Sequence, residues 1–250
     1  IIFIGSIYIL YKIRIRKLHK RQQELENLVQ LRTSDLLEEK NKSDSLLLNI
    51  LPVSIAKRLK SGEKAIADRF EDTTVLFADI VNFSELALEV SASQLLLYLN
   101  SLFSEFDLLT EEFGIEKIKT IGDAYMAASG IPDVISNHKE LMVEFAFKML
   151  DKIELVNRKL GTKMEMRIGI HSGSVVAGVI GKKKFIYDLW GETVNLASRM
   201  EQHGKPGKIH VSEEIFHSLS HLYNFEELNE EHIKGAGLSK TYNCLDRKKN

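Results

Sequence analysis

From about Ile15 to Ile50 the chain contains neither proline nor glycine and is rich in Leu, Glu, Lys, Arg and Gln. Nothing in that run breaks a helix, and its residues favour one on intrinsic propensity. A 4-3 spacing passes through Ile15, Leu18, Gln22, Leu25, Val29, Arg32, Leu36, Glu39, Ser43, Leu46 and Ile50, and seven of these eleven positions are apolar. The pattern predicts a long helix pairing with a second copy as a parallel coiled coil. Arg32, Glu39 and Ser43 weaken the seam, and Leu28, Leu31, Leu37, Leu47 and Leu48 offer a competing stripe. Two registers, and hence a relay by register change, stay open beside a plain solvated amphipathic helix.

The flanks of this helix differ sharply. Ile1 to Tyr11 carry no charge, and Lys12, Arg14, Arg16, Lys17, Lys20 and Arg21 follow. Spanning a bilayer takes about 20 apolar residues, so this segment cannot span alone. The expectation is the end of the last transmembrane helix of a longer receptor, with the basic cluster marking the cytoplasmic side. The protein would then sit at the cell membrane, its sensor upstream and its catalytic part in the cytoplasm. On the other flank, Leu51-Pro52 is expected to end the helix, because proline disfavours helical geometry in the residue before it.

Beyond Pro52 the periodicity changes. Strand-like runs are expected at Thr73–Phe77, Met164–His171, Phe185–Leu189, Ile209–Val211, Tyr223–Glu226 and Thr241–Leu245, and a hairpin at Glu116–Ser129 turning at Gly122-Asp123. Helices are expected at Val53–Leu59, Ser91–Phe113, Lys139–Leu160 and Asn195–Gln202. Helices segregated against a mostly antiparallel sheet imply an α+β fold, and the order β-α-β-β-α-β implies a ferredoxin-like core with extensions. The expected domains are 1–14 membrane-helix end, 15–51 coiled coil, 52–71 linker and 72–250 catalytic domain.

Composition excludes several classes. With 34 basic and 35 acidic residues there is no bulk charge for nucleic acid, and none is expected as a partner. A single cysteine, Cys244, rules out an intrachain disulfide or a cysteine-based zinc cage. Eight histidines occur without a phosphoacceptor and ATP-lid arrangement, and no Gly-Gly-Asp/Glu-Glu-Phe run marks a diguanylate cyclase. His171 is expected to pack or bond locally rather than hold a metal.

Two acids carry the chemistry. Asp79 and Asp123 each follow an apolar, strand-like segment. On neighbouring strands their carboxylates would converge and call for a cation between them, Mg²⁺ or Mn²⁺ with oxygen ligands. Asn82, Phe83 and Ser84 would open a helix whose free amides suit polyphosphate. Strict alternation puts Lys117 and Lys119 on one side of their strand and Ile118 on the other. Asn195 and Arg199, at i and i+4, share a helix face.

The quoted segments Val75–Ser84, Lys117–Met126, Gly169–Gly173, Asp188–Met200 and Ile233–Gly235, in this order, resemble the catalytic domain of class III nucleotide cyclases over about Asp72 to Leu245. The resemblance implies two metal ions at Asp79, Ile80 and Asp123, with Asn195 orienting the ribose and Arg199 stabilising charge on the transferring phosphate. Lys234 would contact the triphosphate. It also implies a site completed across a homodimer interface. Lys119 and Asp188 stand where the family's adenine-selecting residues stand, and guanine-selecting relatives carry Glu and Cys. Lys119 can donate to the adenine N1 and Asp188 can accept from its exocyclic amine. The expected activity is therefore conversion of ATP to 3′,5′-cyclic AMP. The alternatives are a guanylate cyclase and a non-catalytic nucleotide-binding dimerisation module.

Overall fold

A computed structural model describes residues 2–181, 183–228, 231–233 and 237–249. The chain divides into two units, Ile1–Leu51 and Pro52–Asn250. The first is one helix, α1 (Ile2–Leu48). Its seam residues Leu18, Leu25, Val29, Leu36 and Leu46 are exposed, and so are Leu28, Leu31 and Leu37 of the competing stripe. Among the described residues no helix is long and apolar enough to cross a membrane.

The second unit begins with α2 (Val53–Lys60) and then strand β1 (Ala67–Ile80). There follow α3 (Phe83–Glu89), α4 (Ala92–Phe113), β2 (Glu116–Ile121), β3 (Ala124–Ser129) and α5 (His138–Leu160). Then come β4 (Met166–Ile180), β5 (Ile186–Trp190), α6 (Glu192–His203), β6 (Ile209–Ser212) and α7 (Glu213–Leu219). The chain closes with β7 (Tyr223–Glu227), β8 (Glu231–Ile233), β9 (Gly237–Ser239) and β10 (Thr241–Arg247). The main sheet runs β2-β3-β1-β4-β6-β10-β7, with β5 pairing β4. Its first four strands pair antiparallel and show the β-α-β-β-α-β order expected from the sequence. The β4–β6 pair is parallel.

Alternation along β1 divides the unit. Leu76, Ala78 and Ile80 join Leu102, Phe106 and Leu109 of α4 and Met142, Phe145, Ala146, Met149 and Ile153 of α5 in one core. Each large apolar side chain buried in this way contributes about 1.5–3 kcal/mol. Both ends of α4 are specified locally: Ser91 and Gln94 form a reciprocal capping box, and Gly114 closes the helix at φ +63°. Helix α6 packs on β4 and β1 from the other side. Gly169 permits that approach, because a Cβ there would lie 1.9 Å from the backbone nitrogen of Glu201.

Several boundaries depart from the sequence reading. The strands expected at Thr73–Phe77 and Met164–His171 extend to 14 and 15 residues. They sustain each other through a long antiparallel ladder, which local propensity does not register. Helix α7 and strands β8 and β9 were not anticipated, being only seven and three residues long.

Candidate active site

Strand β1 delivers Asp79 at its C-terminal end, where its register partner on β4 is Arg167. Beside it, β2 and β3 turn through Gly122-Asp123, with Gly122 at φ +65°, a left-handed conformation that glycine adopts freely. Since Ala78 pairs with Tyr125, this turn brings Asp123 to the same sheet end as Asp79. The two carboxyls interact: burial first, and then the negative charge of Asp79, push Asp123 up to about 6. Like charges held this close favour a proton or a cation between them.

Ile80 turns its hydrocarbon side chain into the core, so only its main-chain carbonyl can serve a metal. Among the described residues no three His, Cys, Asp or Glu side chains are placed to hold a metal ion. Asp79, Asp123 and the Ile80 carbonyl would make an all-oxygen donor set. Such a set would fit a hard divalent cation whose remaining ligands are water and substrate phosphate, the usual habit of Mg²⁺.

Two further groups here escaped the sequence reading. Arg167 donates from Nη2 to Asp79 Oδ2 at 2.9 Å and from Nε to Glu201 Oε1 at 3.0 Å. Glu201 is buried on α6 and pushed up to about 7, mainly by that burial; the Arg167 charge opposes the shift and the Asp79 charge adds to it. The signal was present: a lone arginine in the apolar run 166–170, and an acid on the stripe of α6 that also carries Ala197 and Met200.

Lys119 and Asp188, from β2 and β5, meet directly, Nζ to Oδ2 at 2.5 Å. The Leu189 amide holds the other carboxylate oxygen of Asp188 at 2.8 Å. One expectation is overturned here: Lys117 and Lys119 do not share a face. A register shift at Ile118 sets Lys117 opposite Ala127 but Lys119 opposite Met126, which are adjacent residues on β3. The extra residue of such a bulge inverts the alternation beyond it. Lys117 therefore binds Asp107 of α4 on the core side at 2.7 Å, leaving Lys119 to the α6 side.

Asn195 and Arg199 lie on α6, exposed and half-buried respectively. At about 100° per residue they point away from Thr193, Ala197 and Met200, the buried stripe that packs on the sheet. One helix thus aims Glu201 at the chain's own Asp79–Arg167 pair and aims Asn195 and Arg199 elsewhere. Asn82, in the left-handed region at φ 54°, precedes α3, whose first residues are Phe83 and Ser84. A cleft of about 420 Å³ opens beside Ile80 and Asn82, but in its lining Glu85, Glu89 and Glu165 outnumber Lys163, a balance that disfavours an anion there. Lys234 falls outside the described residues. His171 bonds locally as expected, its Nδ1 lying 2.7 Å from Ser212 Oγ.

Residues 66–245 match the adenylate and guanylate cyclase catalytic domain family. An adenylate cyclase of Mycobacterium tuberculosis is 40% identical over 211 residues, covering 84% of this chain and 48% of that protein. The receptor-type guanylate cyclase gcy-13 of Caenorhabditis elegans is 40% identical over 237 residues, covering 92% of this chain and 23% of that protein. The crystal structure of the guanylate cyclase domain of RhGC from Catenaria anguillulae, in complex with GTP, superposes with a TM-score of 0.69 at 35% identity. That match covers 72% of this chain and all of the other, 100%. The chain spans about half the length of the mycobacterial relative, 48%.

Proposed function

The chain belongs to the adenylate and guanylate cyclase catalytic domain family, and on that premise we propose that it converts ATP to 3′,5′-cyclic AMP and pyrophosphate. Relatives of both base specificities match it at equal identity, 40%, so the choice of base rests on its own residues. The observation that carries it is the Lys119–Asp188 pair, one donor and one acceptor held together on the α6 side of the sheet. Adenine offers N1 as acceptor and its amine as donor, which match Lys119 and Asp188. Guanine presents the reverse and would leave both groups mispaired, at about 1–3 kcal/mol each.

In the reaction the ribose 3′-oxygen attacks the α-phosphorus, the bond from that phosphorus to the β-phosphate bridge breaks, and the hydroxyl proton leaves. Two divalent ions, Mg²⁺ or Mn²⁺, held by Asp79, Asp123 and the Ile80 carbonyl, would supply Lewis acidity and screen the phosphates. Asn195 orients the ribose by hydrogen bonding. Arg199 meets the charge that builds on the transferring phosphate, the strongest use of a fixed cation in such a site. Lys234 would add charge to the triphosphate, and the amides at Asn82, Phe83 and Ser84 would approach it from the end of β1.

The site reads as shared between two copies. Asn195 and Arg199 face away from the sheet that carries Asp79, so a second protomer related by C2 symmetry would complete each set. A parallel pairing of α1 through Leu18, Leu25, Val29 and Leu36 would hold the two copies together. Cell-membrane placement, with a sensor upstream and the catalytic unit in the cytoplasm, rests on the uncharged Ile1–Tyr11 segment and the basic residues after it. Fractionation of the full-length protein tests that placement.

The purified chain, given ATP or GTP with Mn²⁺, should release cyclic AMP and far less cyclic GMP, read by chromatography. A GTP preference would establish the guanylate alternative, and no product from either would leave a nucleotide-binding dimerisation module. Mixing Asp79→Ala chains with Arg199→Ala chains should restore activity, because mixed dimers keep one intact site. Failure to restore it would argue for a site within one chain.

A further inference from the structure

The contacts of Arg167 are divided. An arginine facing one carboxylate commonly gives two parallel N–H bonds, a paired geometry stronger than a single contact. Here Nη2 goes to Asp79 at 2.9 Å and Nε to Glu201 at 3.0 Å, so each acid receives one. Glu201 is 9% exposed, against 22% for Asp79 and 30% for Arg167. It is also rigidly delivered. The Met200–Glu201 backbone sits against Gly169, where even a Cβ would lie 1.9 Å from the Glu201 nitrogen. His210 Nδ1 lies 2.7 Å from the Met200 carbonyl and pins the same turn of α6.

The guanidinium therefore occupies the position of a counter-ion beside the metal-binding acids, and two carboxylates compete for it. We infer that Glu201 is a positioning residue for the metal site: by holding one edge of Arg167 it prevents that side chain from closing on Asp79, and so sets how readily a divalent cation takes Asp79 over. This rests on the reading of Asp79 and Asp123 as metal ligands. Without Glu201, both N–H edges of Arg167 are free to pair with Asp79, and an entering cation must displace two bonds instead of one. With Glu201 present, Arg167 keeps a partner after Asp79 is withdrawn, so no buried charge is stranded.

Titration of the full nucleotide-free chain with Mn²⁺, reading free ion by electron paramagnetic resonance, tests this without any turnover. Glu201→Leu, which removes the acceptor that a glutamine would keep, should bind Mn²⁺ about tenfold more weakly, the scale of one charge-assisted hydrogen bond. Glu201→Asp should recover part of the loss. Arg167→Met should tighten binding, and adding Glu201→Leu to it should change nothing further, since the effect acts through the guanidinium. Binding by Glu201→Leu within twofold of the unsubstituted chain would overturn the inference. So would an equal weakening in the Arg167→Met background, which would reduce Glu201 to a bulk negative charge. Arg167→Met leaves the buried acid in place and supplies a second reading if Glu201→Leu fails to fold; unchanged or weakened binding there counts against the inference. If Asp79→Asn has no effect on Mn²⁺ binding, the metal reading itself falls and takes this one with it.

Discussion

Two charged clusters share one side of the sheet and differ in their count of charges. Lys119 and Asp188 are one cation and one anion, closed on each other at 2.5 Å. Asp79, Asp123 and Glu201 are three acids around one guanidinium, and two of them are pushed up toward neutrality, to about 6 and about 7. The first cluster is self-satisfied, and in the proposed function it opens for a ligand that offers a matching donor and acceptor, the part of a reader. The second lacks positive charge, and in the same proposal it gains stability from an entering cation, the part of a receiver. Burial raises the stakes at both, because an unmatched group away from water is costly.

The comparison breaks most sharply at the acids. Asp79→Asn or Asp123→Asn should lower the cyclisation rate by on the order of a thousandfold, the scale of lost charge stabilisation in such sites. Mn²⁺ should raise the melting temperature of the unsubstituted chain and leave that of the same variants unchanged, since a ligand stabilises only the state that binds it. A variant that keeps either property would show that the receiver is wrongly placed.

The reader should respond in preference rather than in rate. Lys119→Glu combined with Asp188→Cys should shift the ratio of GTP to ATP use by about a hundredfold, from two mispaired groups at 1–3 kcal/mol each. Competition between the two nucleotides in one assay measures it, and an unchanged ratio would falsify the assignment.

Gly169 concerns the scaffold that both clusters depend on. Gly169→Ala sets a methyl 1.9 Å from the Glu201 backbone, so α6 must shift and the melting temperature should fall by several degrees. Calorimetry would show it, and an unaltered melt would mean the helix has more freedom here than its packing implies.

The smallest effect is expected at Glu116, pushed up to about 7 by burial and secondarily by the Asp133 charge. Its folded-state value lies above the ordinary 4.5, so the folded state resists its ionisation. Stability should fall as pH rises from about 4.5 to about 7 and stay lower above that window. Glu116→Gln should therefore raise the melting temperature by a few degrees at pH 8 and leave it unchanged at pH 4, a difference that paired melts would resolve.

Much of this was legible in the chain itself. Asp79 and Asp123 could be placed at strand ends because apolar runs stop at them, and the Gly122-Asp123 turn announced the hairpin between β2 and β3. The i, i+4 spacing of Asn195 and Arg199 was sufficient to put them on one helix face. The part of α1 from Ile15 onward followed from the missing proline and glycine. Other features were not legible. The lengths of β1 and β4 come from pairing with each other, and α7 is too short to establish a period. Lys117 and Lys119 looked equivalent by alternation, and one bulged residue, Ile118, separated them. Arg167 and Glu201 were ordinary charges until strand register and helix packing brought them to Asp79.

Local order therefore determined which residue types stand at which ends of which elements, since propensity and period act over a few neighbours. Tertiary structure decided which of those residues meet. Contacts between Lys119 and Asp188, or between Arg167 and Glu201, join positions 69 and 34 residues apart, and only the sheet's register and the seating of α6 set such distances.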